Sequence, residues 1–135
     1  MKEVVIVSAC RTAIGAFGGT LRDMNAATIA SVTMGEAVKR AGIDPAVIDD
    51  VRFGCCLEPF DAHNVARVSA LLAGIPDTVP AVTINRVCIS GMAIIQAGMA
   101  DVILAGGVEH MSGISYAGPL PGGDAACRTK PLSIC

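Results

Sequence analysis

Charge is what this sequence has least of. Asp, Glu, Lys and Arg make up 16% of its 135 residues, where soluble domains carry roughly 25%. There is no tryptophan, with one tyrosine and three phenylalanines, and the ten basic residues form no cluster against a net charge of −2. A nucleic-acid binder needs a basic footprint and rings on which bases stack, so that class is excluded. Histidine occurs twice, at His63 and His110. No C-x-x-C pair is found among Cys10, Cys55, Cys56, Cys88, Cys127 and Cys135. Neither a disulfide framework nor a zinc site is therefore expected, and a reducing cytoplasm fits best. A signal peptide is not expected either, because the apolar run Val4–Cys10 is short and ends at Arg11.

What fills the sequence instead is apolar: 53% of residues. A chain this short has proportionally more surface and should be the more polar kind. Its composition suits one domain that shares a core with a larger assembly. A membrane span is the weaker reading. The only stretch long enough, Cys88–Val108, contains Gln96 and Asp101, and an acid inside a span costs roughly 2.5–3.5 kcal/mol.

Periodicity divides the chain into alternating strands and helices. Val4–Ala9 is a continuous, valine-rich run that predicts a strand covered on both faces. The glycines of "GAFGG" (Gly15, Gly18, Gly19) follow it as a plain turn, since they lack the phosphate-loop spacing. Asn25 caps a predicted helix to about Ala41, with Ile29, Val32, Ala37, Val38 and Ala41 on one face and Gly42 as its stop. Asp44-Pro45 opens a short helical turn through Ile48. Val51–Leu57 reads as a strand, in which Cys55 and Cys56 would point to opposite faces. A second helix runs from His63 or Asn64 to Ala73, stopped by Gly74 and Pro76. Ala81–Val87 and Val102–Ala105 complete the strands. The pattern predicts an α/β fold with a mostly parallel sheet and helices on its faces. Residues 118–135 are rich in proline and glycine at their start and are expected to form an irregular tail after a domain of residues 1–117.

The stretch "NRVCISGM" holds the most informative cysteine. A helix beginning near Cys88 would aim the N–H groups of Ile89, Ser90 and Gly91 back at the thiol, and with the helix dipole they favour a thiolate. The position is the carboxyl end of a strand, where open α/β sheets place their ligands. Such a cysteine suits acyl transfer. Equally, free cysteines pack readily as small buried hydrophobes, and physics alone leaves both readings open.

Three motifs bear on this choice: "VVIVSACRTAIGAFGGTL", "NRVCISGM" and "GMADVILAGGVEHMSGISY". In this order they resemble the N-terminal part of the thiolase family, over residues 1 to about 116. The resemblance implies a thiolase-like N-terminal half and assigns Cys88 as the nucleophile that holds an acyl group as a thioester. It also implies transfer of that group between acyl-CoA molecules, or thiolytic cleavage of a 3-ketoacyl-CoA. Coenzyme A thioesters would be substrates, with no separate cofactor and no metal. Residues that bind coenzyme A are not assigned. Family members associate, which implies a homo-oligomer or a complementary thiolase chain, with Ala81–Val87 as the association surface.

The sequence also departs from the family pattern. The G-H-P histidine and C-x-G cysteine that complete the family's site are not among these residues. His110 does not match that histidine and reads as a turn residue, and no partner for Cys88 can be named. About seven residues are missing after "CISGM" relative to the usual pattern, which shortens the following helix by about 10 Å while turning its face only about 20°. That helix, with Ile89, Met92, Ile94, Ile95 and Met99, is apolar all round and expects cover on every side. Two functions follow: an acyl-CoA acyltransferase using Cys88, or an incomplete thiolase fragment acting in assembly. A redox thiol would need a resolving cysteine, for which Cys55 and Cys56 are the candidates.

Overall fold

The structure, a computed structural model, describes residues 4–91 and 100–114. Helix α1 spans Ala26–Ala41, strand β1 Asp50–Gly54, helix α2 Val65–Leu72, strand β2 Ala81–Ile84 and strand β3 Ile103–Gly107. Short 3-10 turns occupy Pro45–Val47 and Met111–Gly113. The sheet order is β2-β1-β3, and both pairings are parallel. This is the expected α/β architecture. The predicted tail and residues 92–99 lie outside the described residues.

Local chemistry sets the helix ends. Asn25 Oδ1 accepts from the Thr28 N–H (2.8 Å), and Gly42 adopts the left-handed backbone that a helix stop requires. Asp44 caps the first 3-10 turn through the Ala46 N–H. Asn64 caps α2 by accepting from the Arg67 N–H (3.2 Å) and also donates to Ala81 O (3.1 Å). Thr83 Oγ1 donates to Asn64 Oδ1 and accepts from the Ala66 N–H, so the start of α2 is fastened directly to β2. Arg67 then holds the returning loop through Val79 O and Asp77 O.

The main core lies between the sheet and the two helices. Val51 and Phe53, two apart and so on one face of β1, meet Ala66 and Ala70 of α2 and Met34 and Val38 of α1. The buried row of α1 is Ala26, Ala30, Met34 and Val38, with Ala27 beside it. The expected face was different, and Val32 in it is 57% exposed. The packing partner explains the shift. Helix α1 lies against α2, which offers Ala66, Ser69 and Ala70, and close helix approach selects small residues over the bulkier β-branched ones.

Two strands are shorter than their apolar runs. β1 ends at Gly54 rather than Leu57, and β2 at Ile84 rather than Val87. Cys55 and Cys56 therefore lie beyond the strand, the first buried and the second half-buried. The largest correction concerns Val4–Ala9. It is not a strand, and Ile6 is 77% exposed. Among the described residues the sheet is β2-β1-β3, and no ladder joins this segment to either of its edges. The segment is held to α1 instead: Ser8 Oγ donates to Ala37 O, Cys10 Sγ to Thr33 O and Arg40 Nη1 to Ala9 O. A cavity of about 880 Å³ separates it from β3. Without a ladder partner, an apolar run has the propensity for a strand but not the hydrogen bonds of one.

Candidate active site

All three strands point their carboxyl ends the same way, so the segments that follow them converge. The ladder continues one step past the strands, through Cys55 N–H to Ile84 O (3.2 Å) and Val108 N–H to Gly54 O (2.9 Å). Beyond it sit the Cys55–Leu57 turn, the Asn85–Cys88 turn and the Val108–His110 segment.

Cys88 lies between β2 and a stretch of helical backbone that begins at Ser90. The turn before it is tight. Asn85 Oδ1 accepts from the Val87 N–H (3.1 Å) while its Nδ2 donates to Cys56 O (3.0 Å). Ser90 Oγ donates to Val87 O (2.7 Å) and accepts from the Arg86 N–H (2.8 Å). These bonds hold Val87 at φ +53°, the only non-glycine residue with positive φ among the described residues. For a β-branched side chain that conformation is strained by about 1–3 kcal/mol, and such strain gathers at functional sites. The outcome is an exposed Cys88. Strained strand-to-helix turns lift serine nucleophiles off a sheet in the same physical way.

Gly54 makes the arrangement possible. A Cβ there would stand 2.6 Å from the Ser90 Cβ, so the last residue of β1 must be glycine for Ser90 to bury against it. One expectation about the helix start needs correction. The Ser90 N–H does not face the thiol as a free donor; it donates to Val87 O at 3.2 Å. The serine that shapes the turn also closes off its own amide.

Glu109, which sequence reasoning did not single out, organises the facing turn. Its Oε2 accepts from the Cys56 N–H (2.9 Å) and its Oε1 from the Leu57 N–H (3.0 Å). Its signal in the sequence was weak, a lone acid directly after an apolar strand. Burial, with the nearby Glu109 and Glu58 charges, pushes the Cys55 thiol up to about 11. Cys56 is also raised, by desolvation first, then by its hydrogen bond to Glu109, the Glu109 charge and the neighbouring Cys88. The buried Cys55 thiol is the poorer nucleophile of the two, and Cys88 is the exposed one.

The histidines stand apart. His110 Nε2 lies 3.1 Å from Leu21 O, which with the Gly18 N–H to Ser112 Oγ bond joins the segment after β3 to the glycine turn. His63 is exposed and packs edge-on against Phe60. Among the described residues no hydrogen bond links either to Cys88. The expected turn role of His110 agrees with this geometry.

Comparison with known proteins gives a consistent picture. The family model described as "Thiolase, N-terminal domain" matches residues 4–123. An acetyl-CoA acetyltransferase from Syntrophomonas wolfei is 51% identical over 117 residues, covering 82% of this chain and 30% of that protein. One from Cupriavidus necator is 43% identical over 129 residues, covering 90% and 32%. The crystal structure of the Bacillus anthracis acetyl-CoA acetyltransferase superposes with a TM-score of 0.78 at 44% identity, over 85% of this chain and 31% of that one. The chain thus spans about a third of the length of the relatives it matches. No helix among the described residues is long and apolar enough to cross a membrane.

Proposed function

We propose, from the premise that the chain belongs to the thiolase family through its N-terminal domain, that Cys88 is an acyl acceptor for coenzyme A thioesters. The observation that supports this most is the strained Asn85–Cys88 turn, which leaves the sulfur exposed at the carboxyl end of a parallel sheet. The Cys88 thiolate adds to the thioester carbonyl, the carbon–sulfur bond to coenzyme A breaks, and the coenzyme A thiolate leaves and is protonated. The acyl group then stands on Cys88 as a thioester. The related enzymes' names, acetyl-CoA acetyltransferase, make acetyl the first acyl group to try.

The second half of the cycle needs an acid/base to form or receive a carbanion, and among the described residues no hydrogen bond links Cys88 to a histidine or a carboxylate. The chain is primed for capture, and turnover requires that acid/base as well. Its surface supports association. β2 is an edge strand in the described sheet, with Val82 exposed, and Ile89 is exposed beside Cys88. This also favours the second reading, a fragment that acts through assembly. A reducing compartment such as the cytoplasm suits a site whose working group is a free thiol.

The test is incubation with acetyl-CoA followed by intact and peptide mass spectrometry. An acetyl group on Cys88, absent in Cys88→Ala, supports capture, and release of free coenzyme A at one equivalent without further turnover supports the further requirement for an acid/base. No adduct on Cys88 leaves the assembly reading in possession, which sedimentation then checks.

A further inference from the structure

We propose that Cys56 is the resolving thiol for Cys88, and that a hydroperoxide converts the two into a reversible intramolecular disulfide. The pairing goes beyond acyl capture and does not depend on it, since it needs only the two sulfurs and their placement.

Two independent ties bring the segments together. Gly54, two residues before Cys56, packs directly under Ser90, two residues after Cys88. The Asn85 side chain then bridges Cys56 O and the Val87 N–H, each within one residue of a sulfur-bearing side chain. Cys88 is the last and smallest of the groups that raise the Cys56 pKa, after desolvation and Glu109. Cys88 is exposed and Cys56 half-buried, whereas Cys55 is buried with its Sγ donating to Leu57 O. Adjacent in sequence, the two cysteines differ in access, and only Cys56 has it.

The chemistry balances with one peroxide. The Cys88 thiolate attacks a peroxide oxygen; the S–O bond forms, the O–O bond breaks, and hydroxide leaves to become water. Cys56 gives up its proton to water and attacks the Cys88 sulfur. The S–S bond forms as the S–O bond breaks, and a second water leaves. Two thiols are oxidised by two electrons and one peroxide is reduced to two waters. Disulfide formation stops Cys88 short of the irreversible sulfinic acid, and an external thiol restores it by exchange.

The test treats the full chain with one equivalent of hydrogen peroxide, alkylates remaining thiols and maps tryptic peptides. Expected is a cross-link between peptides 53–67 and 87–128, lighter by two hydrogens, fragmenting to Cys56 and Cys88 and lost on addition of dithiothreitol. Cys56→Ser should instead leave Cys88 as a dimedone-reactive sulfenic acid, which a second equivalent of peroxide carries to sulfinic acid. Sulfinic Cys88 in the wild type without a cross-link overturns the pairing, as does a cross-link through Cys55, Cys10, Cys127 or Cys135, or between two chains. Acetyl labelling of Cys88 is read separately. If labelling succeeds and the cross-link fails, the pairing falls and acyl capture stands.

Discussion

The β1–α2–β2 unit and the Val4–Ala9 segment are built from similar apolar residues and have opposite fates. In the first, Asn64, Thr83 and Arg67 pin a helix to its strands, and Val51 and Phe53 are buried beneath it. In the second, four consecutive aliphatic residues lie exposed, held by side-chain bonds to the carbonyls of α1. The difference teaches that apolar sequence supplies the tendency to bury, while a ladder partner decides whether it becomes sheet.

The sharpest contrast comes from deleting side chains in both regions. Phe53→Ala removes a ring that lies on Gly106 and fills the core, and is expected to cost about 3–5 kcal/mol in denaturant unfolding. A loss under about 1 kcal/mol would mean that β1 is not central to the core. Gly54→Ala comes next. Its new methyl group meets the backbone-attached Ser90 Cβ rather than a flexible tip, for about 1–3 kcal/mol of overpacking. Cys88 should also lose acetyl labelling by about tenfold or more, because misplacement by about 1 Å is enough for that. Unchanged labelling in a folded Gly54→Ala protein would show that the turn does not depend on this contact.

Asn64→Ala tests the fastening of α2, with an expected loss of about 1–2 kcal/mol for a cap that also bonds Ala81 and Thr83. The pH dependence follows from Cys55. Its folded pKa is raised from 9.0 to about 11, chiefly by burial, so the fold favours the neutral thiol. That stability is complete below about pH 9 and is lost as pH rises through about 11. The melting temperature of the wild type should fall across this window more steeply than that of Cys55→Ala; parallel curves would mean the thiol is equally solvated when folded. The smallest effect is expected at Ile6→Ala, within about 0.5 kcal/mol. A larger loss would mean the N-terminal segment contributes to the core after all.

Local signals were legible in the sequence. Asn25, Gly42, Asp44-Pro45, Asn64 and Gly74 marked helix and turn boundaries because capping is a bond between near neighbours. Cys88 at a strand-to-helix junction was readable for the same reason. What could not be read was set by contacts across the chain. The ladder ended at Gly54 and Ile84 although apolar residues continued, and α1 buried its alanine row because α2 met it there. Glu109 reaches Cys56 and Leu57 from more than fifty residues away, and no spacing rule connects them. The close fit of Ser90 on Gly54 is likewise visible only when the two strand ends meet.

Site-resolved labelling by acetyl-CoA, with Cys10, Cys55, Cys56 and Cys88 followed over time in one sample, tests the role of the strained turn most directly. Acetyl should accumulate on Cys88 well before any other thiol and disappear when excess coenzyme A is added. Slow labelling spread over Cys10, Cys56 and Cys88, with no preference for the sulfur in the turn, would contradict it.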